Sequence, residues 1–171
     1  MMLVPTCDIE WHDYVVKAQE TLKQDALSLS SGAARRSYAD LLHGTFSSDE
    51  ASFILLSEAL SEMTALHEGW DSYGAPVPEP EAIATAVRAL ERLRSRLLLP
   101  EIITPSAEGG VSIYFSRGKQ KALIEFLNEG EVLLARYGKD DEPNVKVLRN
   151  GLDDLNDQAL QEIRNHLAAR A

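Results

Sequence analysis

The fold of this chain is decided by the stretch GVSIYFSRGKQKALIEFLNEGEVLLARYG, residues 110–138. Apolar and polar side chains alternate along it, with the two-residue period of a strand that buries one face. Gly118 and the Asn-Glu-Gly sequence at 128–130 separate the alternating runs and predict hairpin turns. The predicted strands of this antiparallel meander are three to four in number: residues 111–116, 122–127 and 131–137, with a fourth candidate at 144–148.

Helical periodicity, with apolar residues three or four positions apart, precedes and follows the meander. The predicted helices cover residues 9–29, 33–42, 47–68, 81–99 and 155–167. The third opens with a capping box formed by Ser47 and Glu50 and ends at Gly69, and the apolar stripe of the fourth extends to Leu97. The sequence therefore predicts an α+β fold with N-terminal helices, a central antiparallel meander and a C-terminal helix.

The composition is that of an ordinary globular protein: 171 residues, 44% of them hydrophobic and 26% charged. We divide the chain into an N-terminal helical segment, residues 1–46, and an α+β domain, residues 47–171, and we expect the two to pack together as one compact unit. No run of apolar residues is long enough to span a membrane, and residues 1–11 lack the early Lys or Arg of a secretory signal. With the lone Cys7, which excludes an intrachain disulfide, these features predict a cytoplasmic protein.

The chain has a net charge of −10, from 27 acidic and 17 basic residues, which bears on the partners it could bind. Residues 1–70 contribute most of it, with 11 acidic and 4 basic side chains. A surface of this sign repels phosphate backbones, so nucleic acid is disfavoured as a partner. Two interpretations remain open: attraction to a basic protein, or negative charge that simply maintains solubility.

Catalytic and metal-binding motifs are weak. The four histidines lack the spacing of a shared metal ion, and Gly109-Gly110 lacks the Lys-Ser/Thr of a phosphate-binding loop. The sequence therefore predicts no catalytic residue, no cofactor and no metal site. There is one alternative to this prediction. His67, Glu68 and Asp71 lie close enough in sequence to form an acid/base or metal site at a helix end.

Three arginines at four-residue spacing, Arg88, Arg92 and Arg96, are candidate binding residues because that spacing stacks them on one helix face. Like charges so placed repel one another unless an acidic group offsets them. A contact with phosphate or RNA is one interpretation. The other is a solvated face balanced by Glu91 or by the acidic N-terminal helices.

The loop at residues 69–78, here named the aromatic loop, holds the other candidate binding residues, Trp70, Asp71 and Tyr73. The Asp71 carboxylate can accept hydrogen bonds from backbone amides two residues ahead, and Gly74 can adopt a positive φ. Trp70 would fix the loop to the sheet with its indole N–H on a carbonyl, and Tyr73 would stack on a proline. These features predict a structural clasp between two helices. Aromatic residues on a rigid loop are also common binding residues, and that interpretation stays open.

The sequence EGWDSYGAP at 68–76, with the helix and glycine pair that follow it, resembles a widespread group of small bacterial proteins of unknown function. In that group a Gly-Trp-Asp-x-Tyr-Gly-Ala loop precedes a helix and then strands with an Asp-Gly-Gly-like turn. Residues 123–131, LIEFLNEGE, are similar to the group's hairpin, which often reads Glu-Phe-x-Asn-Asp-Gly-Glu. Glu108 and Glu129 stand where the group often has Asp. The resemblance covers about residues 67–137 and implies the fold but no activity.

Two functions follow from these features. The first is a non-enzymatic, acidic protein-interaction module, such as an adaptor, regulator or immunity-type protein, that acts on a basic protein partner. The alternative is a small-molecule-binding or hydrolytic enzyme whose site surrounds His67, Asp71 and Tyr73. A homo-oligomer formed through a sheet edge or through the N-terminal helices is compatible with the first function.

Overall fold

A five-stranded antiparallel sheet forms the centre of the fold, and its strands lie in space in the order in which they occur in the sequence. They are β1 Ile102–Pro105, β2 Gly110–Arg117, β3 Gln120–Leu127, β4 Val132–Tyr137 and β5 Asn144–Leu148. Every neighbouring pair is antiparallel. The predicted α+β fold and its meander are confirmed, with one strand more than the three to four expected.

The structure, a computed structural model, describes residues 47–138 and 143–169, all of which belong to the compact unit Ser47–Ala171. The helices predicted at 9–29 and 33–42 lie outside the described residues. So does the whole predicted N-terminal segment, residues 1–46.

The unexpected strand, β1, lies between the predicted fourth helix and β2, in a stretch to which the sequence pattern assigns no element. It is four residues long and ends at Pro105, so no alternation can be read from it. Proline is tolerated there because β1 is an edge strand and needs no further N–H donor at its end. Pairing with β2 holds it in place: Ile103 lies opposite Ile113, and the Glu101 N–H donates to the Tyr114 carbonyl at 2.8 Å.

Three helices follow the predicted pattern, with shifted ends. They are α1 Ser48–Glu62, α2 Pro80–Ser95 and α3 Asp157–Ala168, and short 3-10 turns occupy Met63–Ala65 and Gly151–Asp154. The Ser47–Glu50 capping box is present. None of the helices in the described part of the chain combines the length and apolar character needed to cross a bilayer.

Two helix ends differ from the prediction. The α1 helix ends at Glu62 rather than at residue 68, because the chain tightens into a 3-10 turn in which the Thr64 hydroxyl donates to the Ser61 carbonyl at 2.7 Å. The α2 helix ends at Ser95, before Leu97. Leu97 therefore lies outside the apolar stripe that the sequence assigned to it, and its side chain is exposed.

The helices cover one face of the sheet and form the hydrophobic core with it. Each helix contributes side chains that are almost fully buried against inward-facing residues of the central strands. These are Leu60 from α1, Leu90 and Leu93 from α2, Ile163 from α3, and Ile113, Ile124, Phe126 and Leu134 from the sheet. Because the helices cover this face of the sheet, the turns at the ends of the strands and the loops between helices are not covered by them.

Gly110 fixes how closely β2 approaches β3. It pairs with Leu127 and has a φ of +120°, a backbone conformation that residues with a side chain rarely adopt. A Cβ atom at this position would lie 2.0 Å from the Phe126 carbonyl oxygen, far inside van der Waals contact. The glycine is therefore required by both the space and the backbone conformation.

We expect Gly110→Ala to lower the free energy of unfolding by at least about 3 kcal/mol, because the added Cβ forces β2 away from β3. Gly118→Ala is the matched control, since Gly118 also has a positive φ of +64° but open space around its Cβ. That substitution is expected to cost about 1 kcal/mol through backbone strain alone. Urea unfolding measures both, and equal losses would contradict a specific requirement at Gly110.

Candidate functional site

The backbone of the aromatic loop is held by the carboxylate of Asp71. Its Oδ1 atom accepts hydrogen bonds from the backbone N–H groups of Tyr73 at 2.9 Å and of Gly74 and Ala75 at 3.0 Å. Gly74 has a φ of +90°, which brings these N–H groups round to face one oxygen. The prediction that the Asp71 carboxylate accepts from the backbone ahead of it is confirmed, with three N–H donors.

The two aromatic side chains of the loop have different environments. Trp70 is half-buried, and its indole N–H donates to the Pro76 carbonyl at 3.3 Å, so it closes the loop on itself. Tyr73 is 90% exposed. The expectation that Tyr73 stacks on Pro76 or Pro78 is wrong, because a side chain this exposed has no packed neighbour. The preceding residue, Ser72, has a φ of +63°, and this left-handed backbone helps to direct the chain outward.

Asn128, in the β3–β4 turn, fixes the end of the aromatic loop to the sheet. Its Nδ2 group donates to the Val77 carbonyl at 2.9 Å, and its Oδ1 atom accepts from the Glu79 N–H at 2.8 Å. Glu79 is the N-cap of α2, so Asn128 satisfies an N–H group that the helix itself leaves unpaired. The contact joins residues about fifty positions apart in sequence.

The glycine pair that precedes β2 packs against the same junction. A Cβ atom on Gly109 would lie 2.8 Å from Asn128 Nδ2 and 3.1 Å from Pro76 Cβ. The Asn128 N–H also donates to the Gly109 carbonyl at 3.3 Å. The aromatic loop, the glycine pair and the β3–β4 hairpin, which together carry the resemblance described above, therefore meet at one end of the sheet.

A buried carboxylate lies beneath this junction. Glu125 on β3 is only 5% exposed, and its Oε1 atom accepts from the hydroxyl groups of Ser106 and Ser112, the latter at 3.2 Å. The Ser106 hydroxyl accepts in turn from the Glu108 N–H at 3.2 Å. Two donors directed at one oxygen offset part of the cost of burying a carboxylate and brace the turn that contains Gly109.

The backbone hydrogen bonds to the Asp71 carboxylate also lower the pKa of this group. Partial burial raises the pKa of Asp71, but the hydrogen bonds from the backbone N–H groups of Ala75, Tyr73 and Gly74 together outweigh it. The pKa of this carboxyl group therefore lies below its ordinary value. An ionised carboxylate with a lowered pKa is a hydrogen-bond acceptor that supports the loop, and it is poorly suited to donate a proton near neutral pH.

The three candidate arginines all have partners within the domain. Arg88 contacts Glu81 at 3.3 Å, and Arg96 contacts Asp157 at 2.7 Å. Arg92 is half-buried, and its Nη1 group donates to the Leu152 carbonyl at 2.6 Å and to the Leu155 carbonyl at 3.1 Å. The arginine stripe thus joins α2 to the 3-10 turn and to the start of α3.

An open depression of about 690 Å³ lies beside Arg92 and Arg96, between the end of α2 and the start of α3. Asp153 and Asp157 also line it, so its cationic and anionic side chains balance. His67, Asp71 and Tyr73 are not among the residues that line this depression.

The remaining candidate cluster is His67, Glu68 and Asp71. The side chains of His67 and Glu68 are exposed. Among residues 47–138 and 143–169, no group of three or more His, Cys, Asp or Glu side chains is arranged to hold a metal ion. The three residues therefore do not assemble into a metal site.

Sequence reasoning missed Asn128 and Glu125. Asn128 was interpreted only as a turn residue, and no local pattern shows that its amide contacts a segment so distant in the chain. Glu125 did carry a signal, since a carboxylate within the otherwise apolar run at 122–127 needs donors if it is buried. The two serines that supply them follow from strand pairing, because Ser112 lies directly opposite Glu125.

Comparison with known proteins gives no match to a family model, to a curated protein or to a solved structure. Membership in the Gly-Trp-Asp group of bacterial proteins therefore stays a prediction. The geometry of the loop and its surroundings is the basis for the function proposed below.

We expect Asp71→Asn to lower the free energy of unfolding by about 1 kcal/mol at pH 7, since a neutral amide oxygen accepts the three hydrogen bonds more weakly. A carboxyl group with a lowered pKa contributes stability above its unfolded pKa, near 3.9, and loses it as the pH falls through the folded value. The difference between the native protein and the variant should therefore shrink below about pH 4. Urea unfolding at several pH values measures it, with Asp153→Asn as control; a difference that does not shrink as the pH falls below 4 would count against this role.

Arg92→Met is expected to lower the free energy of unfolding by about 1.5–3 kcal/mol, because two half-buried carbonyl groups lose a charged donor. Arg88→Met, which removes an exposed ion pair on the same helix face, is the control and should cost less than about 0.5 kcal/mol. Denaturant midpoints of the two variants provide the comparison. Equal, small effects would show that Arg92 is not a structural link.

Proposed function

We propose that the domain is a non-enzymatic protein-interaction module, an adaptor, regulator or immunity-type protein that binds a basic protein partner through Tyr73 and the acidic groups around it. The observation that carries this proposal is the exposure of Tyr73, at 90%, on a loop that hydrogen bonds hold in one conformation. A large side chain on a preorganised loop loses little conformational entropy on binding, and tyrosine is enriched among the residues that dominate interface energies.

The charge around Tyr73 supports a basic partner. Four exposed carboxylates lie on the aromatic loop, at its ends or on the turns packed against it: Glu68, Glu79, Glu108 and Glu129. Glu79 donates its backbone N–H to Asn128, and Glu108 and Glu129 adjoin in sequence the junction residues Gly109 and Asn128, while Glu68 immediately precedes the loop. Tyr73 and these four glutamates are here named the Tyr73 surface. Its charge would speed the encounter with a cationic protein and orient it.

The enzymatic alternative gains no support from the arrangement of its residues. The Asp71 oxygen that would act on a substrate already accepts three backbone hydrogen bonds, and Tyr73 extends into solvent instead of lining a cleft. A cytoplasmic location belongs to the same proposal and is supported by the lone Cys7 of the sequence.

A binding experiment with Tyr73→Ser tests the proposal. The immobilised native protein should retain a basic protein from its host at low and at physiological salt, and the variant should bind that protein at least about tenfold more weakly. The melting temperature should not change, since the exposed ring makes no packing contacts to lose. Val145→Thr, which alters an exposed residue of β5, is the control and should bind normally. Retention of nothing at either salt concentration, or equal binding by Tyr73→Ser, would refute the proposal.

A further inference from the structure

Asn150 and Gly151 form the single Asn-Gly sequence in the chain. They lie between β5 and α3, where Gly151–Asp154 forms a 3-10 turn. Gly151 has a φ of +59°, which favours glycine, and the preceding asparagine is exposed. Asparagine followed by glycine is especially prone to deamidation, because no side chain on the glycine hinders the attack of its backbone nitrogen on the asparagine side chain.

This deamidation needs no enzyme, and water is its only co-reactant. The Gly151 nitrogen loses its proton to the solvent and forms a bond to Cγ of Asn150. The bond from Cγ to the side-chain nitrogen breaks, and that nitrogen takes up a proton and leaves as ammonia. Water then opens the five-membered imide, and residue 150 becomes aspartate or isoaspartate. The net change replaces a neutral amide with a carboxylate.

The side chain of Asp154 holds Asn150 in a conformation that opposes the attack. Its Oδ1 atom accepts from the Asn150 side-chain amide at 3.0 Å, and its Oδ2 atom accepts from the Asn150 backbone N–H at 3.0 Å. Asn150 has a ψ of 23°, so the Gly151 nitrogen is rotated away from the asparagine side chain. The two hydrogen bonds from Asn150 also hold the pKa of Asp154 below its ordinary value, which keeps this carboxylate ionised near neutral pH.

The 3-10 turn that contains this contact connects the sheet to α3 and to α2. The Leu152 carbonyl accepts from Arg92 of α2 at 2.6 Å, and Leu155 is buried in the core. Two backbone hydrogen bonds close the turn, from the Asp153 N–H to the Asn150 carbonyl at 3.2 Å and from the Leu155 N–H to the Leu152 carbonyl at 3.1 Å. A change at Asn150 therefore acts on the segment that leads into α3.

A carboxylate at position 150 would break the contact with Asp154. The side chain would lose its donor and bring a second negative charge to within hydrogen-bond distance of the first, and like charges so placed repel. Lys146, whose charge helps to lower the pKa of Asp154, offsets part of this repulsion. The modified turn is thus held by fewer hydrogen bonds than the native turn.

We propose that Asn150 is a deamidation site guarded by Asp154, and that its conversion irreversibly loosens the turn between β5 and α3. Attack by the Gly151 nitrogen requires the turn to open, and short 3-10 segments on a surface open more readily than core elements. The carboxylate formed then opposes closure, so each conversion favours the open turn. The residues of the Tyr73 surface take no part, and the modification is independent of the proposed function.

The rate of deamidation in the full chain tests the guarding role. The protein is kept at mildly alkaline pH, and mass spectrometry of digests measures the share of position 150 that has become aspartate or isoaspartate. Asp154→Ala should deamidate there at least about tenfold faster than the native protein. Asp153→Asn, which alters another acidic residue of the same turn, is the control and should keep the native rate.

Circular dichroism of Asp154→Ala should show a native spectrum, so that faster deamidation reports opening of the turn and not global unfolding. The isolated peptide 146–156 gives the rate without the folded turn. Equal rates in Asp154→Ala and the native protein would overturn the proposal. So would a native rate as fast as that of the peptide, or the absence of any conversion at position 150 in both proteins.

Amide hydrogen exchange of Asp153 and Leu155 tests the loosening separately. Asn150→Asp reproduces the product charge and should accelerate this exchange at least about tenfold. Asn150→Ala removes the donor without adding charge and should have a smaller effect. The double variant Asn150→Asp/Asp154→Asn exchanges donor and acceptor, and its exchange should return to within about threefold of the native rate. Native exchange in Asn150→Asp, or no recovery in the double variant, would contradict the loosening.

Discussion

The side-chain amide of Asn128 is the interaction on which the position of the aromatic loop depends. It donates to a carbonyl of the aromatic loop and accepts from the first free N–H group of α2, so one residue of a hairpin turn sets both the position of the loop and the start of the helix. An amide suits this role because it carries a donor and an acceptor side by side. Gly109 leaves the space that the amide occupies, and the Glu125–Ser106 pair braces the turn behind it. The loop that carries the exposed tyrosine is therefore held by a framework of satisfied polar groups.

Backbone strain in the described part of the chain is concentrated beside exposed side chains. Ser72 and Leu97 are the two non-glycine residues there with positive φ, and one precedes Tyr73 while the other is itself exposed. Strained backbone persists only where the surrounding structure fixes it, and such positions cluster at binding sites. Strain and exposure therefore coincide at both positions.

Local patterns predicted much of the architecture. The two-residue period identified three strands of the sheet, and the Ser47–Glu50 box located the start of α1, because both depend on residues close together in sequence. The strand β1 was missed, since four residues ending in proline show no period. Leu97 was misplaced because spacing alone cannot reveal that the chain turns left-handed two residues after Ser95.

The site itself could be predicted only in part, because sequence patterns record contacts between residues that are close together in the chain. The hydrogen bonds of Asp71 lie within four residues and were expected from the turn chemistry of aspartate. The contacts of Asn128 with the start of α2 and of Arg92 with the segment between the sheet and α3 connect residues 49 to 63 positions apart. No local pattern records such contacts, because they exist only once the helices have packed on the sheet.

The strand order also has a consequence for how the chain reaches its native state. Each strand pairs with the strand synthesised just before it, so every hairpin can close as soon as its second strand has left the ribosome. Short loops make this closure inexpensive in chain entropy and favour rapid folding. The helix α3 follows the meander in the chain and therefore packs on strands that can already have paired.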